Sequence, residues 1–204
     1  MIVQRFYEDL SVLHQNTEPG RAYYVPSSAR NDMVIWNRES SDRLQMLSGC
    51  EWRFAFYPSI HDLPDYEPGK WWKKETVPFC WQLRGYDSPQ YTNIRYPFPF
   101  DPPYVPQDNP CGAYLHSFSW HRDPEAPCAF LNFEGVDSCF YVWLNGTYVG
   151  YSQVSHHTAE FDVTDLLQEG ENLLAVLVLK WCDGSYLEDQ DKFRFSGISG
   201  TSIF

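Results

Sequence analysis

Residues 138–152, SCFYVWLNGTYVGYS, decide the fold. Two runs rich in aromatic and β-branched residues flank Asn145-Gly146, and that pair accepts the left-handed backbone of a two-residue type I′ turn. The stretch therefore predicts a tight antiparallel hairpin. Downstream, NLLAVLVLKW (residues 172–181) is an unbroken apolar run, as expected of a strand buried on both faces at the centre of a sandwich.

Working outward, CEWRFAFYP (50–58) alternates Trp52, Phe54 and Phe56 with Arg53, Ala55 and Tyr57, the period of a half-buried strand. GAYLHSFSW (112–120) sets Tyr114, His116, Phe118 and Trp120 on one face, and AFLNFEG (129–135) adds another strand. PDYEPGKWWKKETVP (64–78) reads as turn chemistry followed by a short edge segment. The six prolines of YPFPFDPPYVPQDNPCG (96–112) exclude a central strand and predict a long ordered loop or edge crossing. One helical turn is expected, in HTAEFDVTDLLQEGEN (157–172), with Thr164 or Asp165 as cap and Gly170 as stop. Residues 1–43 hold neither period and predict an extended arm lying on another surface, anchored by Tyr23, Tyr24 and Trp36. The expectation is an all-β chain: an arm over 1–43, then a jelly-roll β-sandwich over 44–204.

The composition agrees with strands and ordered loops. Aromatic residues make up 18% of the 204, which favours extended structure over helix. Twenty-seven acidic against 15 basic residues leave a net charge of −12, which argues against nucleic acid and anionic membrane as partners. No apolar run reaches the roughly 18 residues of a transmembrane helix. The first residues lack the basic and apolar regions of a signal peptide. From this a cytoplasmic chain is expected, with Cys50, Cys80, Cys111, Cys128, Cys139 and Cys182 reduced and the Asn145-Gly146-Thr147 sequon unmodified.

Candidate chemistry centres on DGSYLEDQDKFRFSG (183–197), which packs Asp183, Glu188, Asp189 and Asp191 into nine residues. Two readings stand: a solvated loop balanced by Lys192 and Arg194, or a site for a cation or a polyol. The spacing is not that of an EF-hand loop. Nor do adjacent Glu188 and Asp189 suit a glycosidase pair, which needs two carboxyls converging at about 5 Å. The six histidines show no metal-ligand spacing, and no nucleophile elbow, phosphate loop or dinucleotide fingerprint occurs. Trp52, Trp120, Trp143 and Trp181 could stack on sugars or simply fill a core.

Four long segments carry a resemblance: GCEWRFAFYP (49–58), VPFCWQLRGYDSPQYTNIRYPFPFDPPYVPQDNPCGAY (77–114), FEGVDSCFYVWLNGTYVGYSQ (133–153) and EFDVTDLLQEGENLLAVLVLKWCDGSYLEDQDKFRFSGI (160–198). In this order, over about residues 41 to 198, the chain resembles the N-terminal sugar-binding domain of the large bacterial β-galactosidases of glycoside hydrolase family 2. The resemblance implies a galactose-binding-domain-like jelly roll packed on a TIM barrel. That barrel would carry two catalytic glutamates and the Mg2+ site, and would hydrolyse terminal β-galactosides with retention. It also implies roles on this chain. Asn93 of YTNIRYP hydrogen-bonds the galactose with Ile94 alongside, while Asp191 of LEDQDKFR reaches sugar hydroxyls and helps ligate Na+. Family members continue past SGI with Phe-Arg-Asp-Val, whereas here SGTSIF follows, so the pattern breaks at about Ser199. The expectation is half a site, inactive alone and completed by other domains, with homo-oligomer contacts possible in such an assembly. The alternatives are a free-standing galactose-binding module and a complementation fragment.

Overall fold

The computed structural model describes residues 3–64, 72–188 and 191–204. Asn145 and Gly146 adopt φ of 53° and 81°, the type I′ geometry, and close the hairpin as expected. In chain order the strands are β1 (His14–Gln15), β2 (Glu51–Tyr57), β3 (Lys73–Thr76), β4 (Gln90–Thr92), β5 (Cys111–Trp120), β6 (Phe130–Phe133) and β7 (Val136–Asp137). Then follow β8 (Cys139–Leu144), β9 (Thr147–Gln153), β10 (Ala159–Asp162), β11 (Gly170–Leu179), β12 (Lys192–Arg194), β13 (Gly197–Ile198) and β14 (Ser202–Ile203).

Seven strands form an antiparallel sheet in the order β1-β9-β8-β11-β5-β2-β3, with the apolar β11 at its centre. Its side chains alternate between two cores. Leu174, Val176 and Val178 enter the first, and Leu177 and Leu179 the second. A three-stranded sheet, β10-β6-β14, closes the first core with Leu131, Phe133 and Phe161. Here Trp52 is buried and donates its indole N–H to the Leu47 carbonyl at 2.7 Å, the usual arrangement for a buried indole.

Among the described residues, no sheet closes the second core. Phe98 and Val105 of the proline-rich loop cover it together with Tyr7 and Tyr186. Proline cannot join a ladder, so the loop is held by aromatic packing instead. Tyr96, Phe98 and Phe100 surround the Tyr186 ring at 5.3–5.5 Å, and the Tyr186 hydroxyl donates to the Tyr104 carbonyl at 2.5 Å. The second core corrects the half-buried reading of β2. Ala55 and Tyr57, expected towards solvent, are buried in the second core, while Arg53 remains exposed.

Two further expectations change. The turn at Thr164–Leu166 stays a turn, because the Thr164 hydroxyl accepts from the Ala129 N–H at 2.9 Å and the Asn172 side chain captures the Gln168 N–H at 2.8 Å. The α-helical turn among the described residues lies instead at Ser185–Glu188, inside the acidic stretch. The arm does lie on a surface, that of this domain, but Tyr23, Tyr24 and Trp36 are exposed at 61%, 58% and 85% and do not anchor it. It is held by β1 on the β9 edge, by buried Tyr7, and by ion pairs of Arg21 with Glu160, Arg38 with Glu134 and Arg43 with Asp123. β3 sits at the sheet edge as expected, while the turn chemistry predicted over 65–71 lies outside the described residues. No helix of the described residues is long and apolar enough to cross a membrane.

Candidate functional site

Strands β4 and β12 form a separate two-stranded ribbon, pairing Thr92 with Lys192, Tyr91 with Phe193 and Gln90 with Arg194. Period two sorts its residues by face. Thr92 and Arg194 turn inward, at 2% and 0% exposure, while Tyr91, Asn93, Asp191 and Phe193 are exposed. Continuing the ladder by one step sets Asn93 beside Asp191, although 98 positions separate them in the chain. Asp191 takes φ of 53°, the left-handed conformation in which the chain turns into β12.

Behind the ribbon, the buried Arg194 guanidinium donates to Asp137 Oδ1 at 2.9 Å and lies 4.0 Å from Glu188 Oε2. It also faces the Trp181 ring at 5.8 Å. A cation taken out of water needs this many partners to be tolerated. The acidic stretch is thereby taken apart. Glu188 accepts from the Ser155 N–H at 3.1 Å and its hydroxyl at 2.7 Å. Asp183 is buried, accepts from the Gly184 N–H at 2.9 Å, and has its carboxyl pushed above the usual range by that burial. Asp189 lies outside the described residues. Only Asp191, of the described members, offers a carboxylate to solvent.

Two of the three expected site residues are joined through a third party. Tyr91 Oη donates to Asp191 Oδ1 and accepts from Asn93 Nδ2 at 3.2 Å. The bond to the carboxylate pushes the phenol above its ordinary value of 10. Ile94 follows directly and is 91% exposed. Tyr91 was not singled out from sequence, yet the alternation of QYTN against DKFR, read as one ribbon, contains the signal. The oxygen donors here suit a hard cation chemically. Asp191 alone does not make a shell, and no group of three or more His, Cys, Asp or Glu among the described residues could hold a metal. A cavity of about 1070 Å³ lies between arm and sandwich, lined by Arg21, Trp120, Phe130, His157 and Phe204 among others, and none of the expected site residues lines it.

Against known proteins, residues 44–202 match the family described as glycosyl hydrolases family 2, sugar binding domain. The chain is 50% identical over 199 residues to a β-galactosidase of Actinobacillus pleuropneumoniae, covering 97% of this chain and 20% of that protein. A β-galactosidase of Staphylococcus xylosus is 46% identical over 199 residues, with the same coverage. The chain thus spans about a fifth of the length of these curated relatives. A solved Bacteroides uniformis β-glucuronidase matches with a TM-score of 0.57 at 17% identity, over 78% of this chain and 17% of that one, a likeness of fold alone. The chain belongs to the sugar binding domain family of the glycosyl hydrolases of family 2.

Proposed function

We propose that this chain is the sugar-binding part of a β-galactosidase, and that Asn93, Ile94 and Asp191 form one edge of its galactose subsite. The observation that carries the reading is the juxtaposition of an exposed amide and an exposed carboxylate, bridged by Tyr91. An amide both donates and accepts, and a carboxylate accepts strongly, which suits the hydroxyl pattern of a sugar. The likeness to two β-galactosidases supports galactosides as the substrate class.

In this reading the chain binds and orients, and the bond-breaking carboxyls come from the rest of the enzyme, a TIM barrel. Retaining hydrolysis needs an acid/base and a nucleophile about 5–5.5 Å apart. Glu188, committed to Ser155, is neither. Asp191 would help to hold Na+ together with groups of the barrel, and Mg2+ would belong to the barrel entirely. The finer attributes proposed with it are jelly-roll wiring, a boundary near residue 43, a cytoplasmic location and assembly into a homo-oligomer.

The test replaces the matching segment of the Actinobacillus pleuropneumoniae β-galactosidase with this chain. Asn93→Ala or Asp191→Ala in that chimera is expected to lower kcat/KM for p-nitrophenyl β-galactoside by about 10- to 100-fold, the worth of a hydrogen bond to a charged or well-placed group. Unchanged kcat/KM in both variants overturns the site. The chain alone is expected to give no hydrolysis and no saturable amide shifts with galactose. Saturable shifts around Asn93 and Asp191 would instead make it a free-standing binding module.

A further inference from the structure

We propose that Tyr91 is a positioning residue of this sugar site, its hydroxyl presetting the spacing and orientation of Asn93 and Asp191. The inference deepens the reading above and rests on it.

A phenol has one proton to give and lone pairs to receive. In Tyr91 the proton goes to Asp191 Oδ1 and a lone pair receives Asn93 Nδ2 at 3.2 Å. Both contacts have consequences at the far ends. The Asn93 amide is turned nitrogen-inward, so its carbonyl oxygen points away from Tyr91. Asp191 keeps Oδ2 for a ligand while Oδ1 is occupied. Without the hydroxyl, an amide and a carboxylate facing one another across a ribbon would pair directly or rotate in water. A ligand must then break that pair or freeze those rotors.

Tyr91 is itself well seated. It is the direct ladder partner of Phe193, and the two rings lie 5.3 Å apart at 56°. The residues flanking that pair, Thr92 and Arg194, are buried behind the ribbon. A group on a paired strand holds its geometry better than one on a loop. With its proton given to Asp191 and a lone pair to Asn93, the hydroxyl acts through those two side chains. The raised phenol titration fits a hydroxyl donating to a carboxylate. A purely structural Tyr91 would need only its ring, and Tyr91→Phe separates the two roles.

The first test uses the full chain and no ligand. Three-bond couplings are expected to report one χ1 rotamer each for Asn93 and Asp191, averaging among rotamers in Tyr91→Phe with the Tm unchanged. Averaged couplings in the parent, or unaltered ones in Tyr91→Phe, overturn the proposal. The second test uses the chimera, where Tyr91→Phe is expected to lower kcat/KM about 5- to 10-fold, mainly through KM, as lost preorganisation does. Combined with Asn93→Ala and Asp191→Ala, it is expected to add almost nothing, because it acts through them. If Asn93→Ala and Asp191→Ala each cost activity while Tyr91→Phe does not, or adds in full, Tyr91 is no positioning residue and the sugar site stands. If none of the three matters, the sugar site fails and this inference with it.

Discussion

Asn145 carries the hairpin with its side chain as well as its backbone. Its Nδ2 donates to the Leu166 carbonyl at 3.0 Å and to Asn172 Oδ1 at 2.7 Å, while its Oδ1 accepts from the Leu173 N–H at 2.9 Å. Asn145→Ala removes all three and places alanine at φ of 53°. The expected loss, read by urea unfolding, is about 2–4 kcal/mol, from unpaired polar groups and a left-handed alanine. Asp183 makes a different point, about pH. Its folded pKa is raised by burial, so the folded state holds the proton more tightly than the unfolded chain. Its contribution is therefore full below the unfolded value of 3.8 and is lost as pH rises through the raised folded value. Asp183→Asn keeps an acceptor for the Gly184 N–H and has nothing to ionise. The difference in stability, variant minus parent, is expected to grow in favour of the variant as pH rises from about 4 to neutrality. A flat difference across that range would show that Asp183 is not held as the structure has it.

At the scale of elements, the arm strand β1 is the most exposed to conditions. It comprises His14–Gln15 and pairs with Ser152 and Tyr151 at the sheet edge. His14 Nδ1 lies 3.0 Å from Ser152 Oγ, and the His157 ring is 6.2 Å away. Burial first and His157 second push the His14 imidazole below its ordinary 6.5. A depressed histidine stabilises the folded state above the unfolded value, and that contribution is lost as pH falls through the folded one. Hydrogen exchange at β1 is expected to accelerate below pH 6.5 beyond its chemical pH dependence, and His14→Gln to remove the excess. Equal pH dependence in both proteins would detach β1 from this histidine. The same edge explains Gly150. A Cβ there would collide with the Gln15 carbonyl and the Phe161 ring, so Gly150→Ala is expected to cost about 1–3 kcal/mol and to loosen β1.

For the whole molecule, the two faces of the seven-stranded sheet are covered by unlike material, a small sheet on one and loop plus arm on the other. The arm is therefore structural. Phe6 packs on Tyr151 at 5.5 Å, and the Tyr141 hydroxyl donates to the Gln4 carbonyl at 2.5 Å. Deleting residues 1–43 uncovers both tyrosines and removes the ion pairs of Arg21, Arg38 and Arg43. The expected result is a Tm lower by about 4–12 °C, from roughly 2–4 kcal/mol of lost burial, with new binding of an apolar dye. An unchanged thermal scan would make the arm an appendage to this domain.

What the sequence determined by itself lies within short windows. The type I′ turn follows from Asn145-Gly146, the central strand from the apolar run of 172–179, and the face of Trp52 and Phe54 from a period of two. Each is set by backbone sterics and alternation over a few residues. The likeness that named Asn93, Ile94 and Asp191 was equally legible, being a matter of residue order. Tertiary structure decided the rest. Ala55 and Tyr57 became core because segments distant in sequence pack on that face of the sheet to form the second core. The acidic stretch split into buried Asp183, tethered Glu188 and exposed Asp191 because Tyr7, Ser155 and the β4–β12 ladder converge there. Asn93 meets Asp191, 98 positions away, and Tyr91 stands between them, through the pairing of β4 with β12. Such contacts depend on which chain segments share a ladder, and no local pattern records that choice.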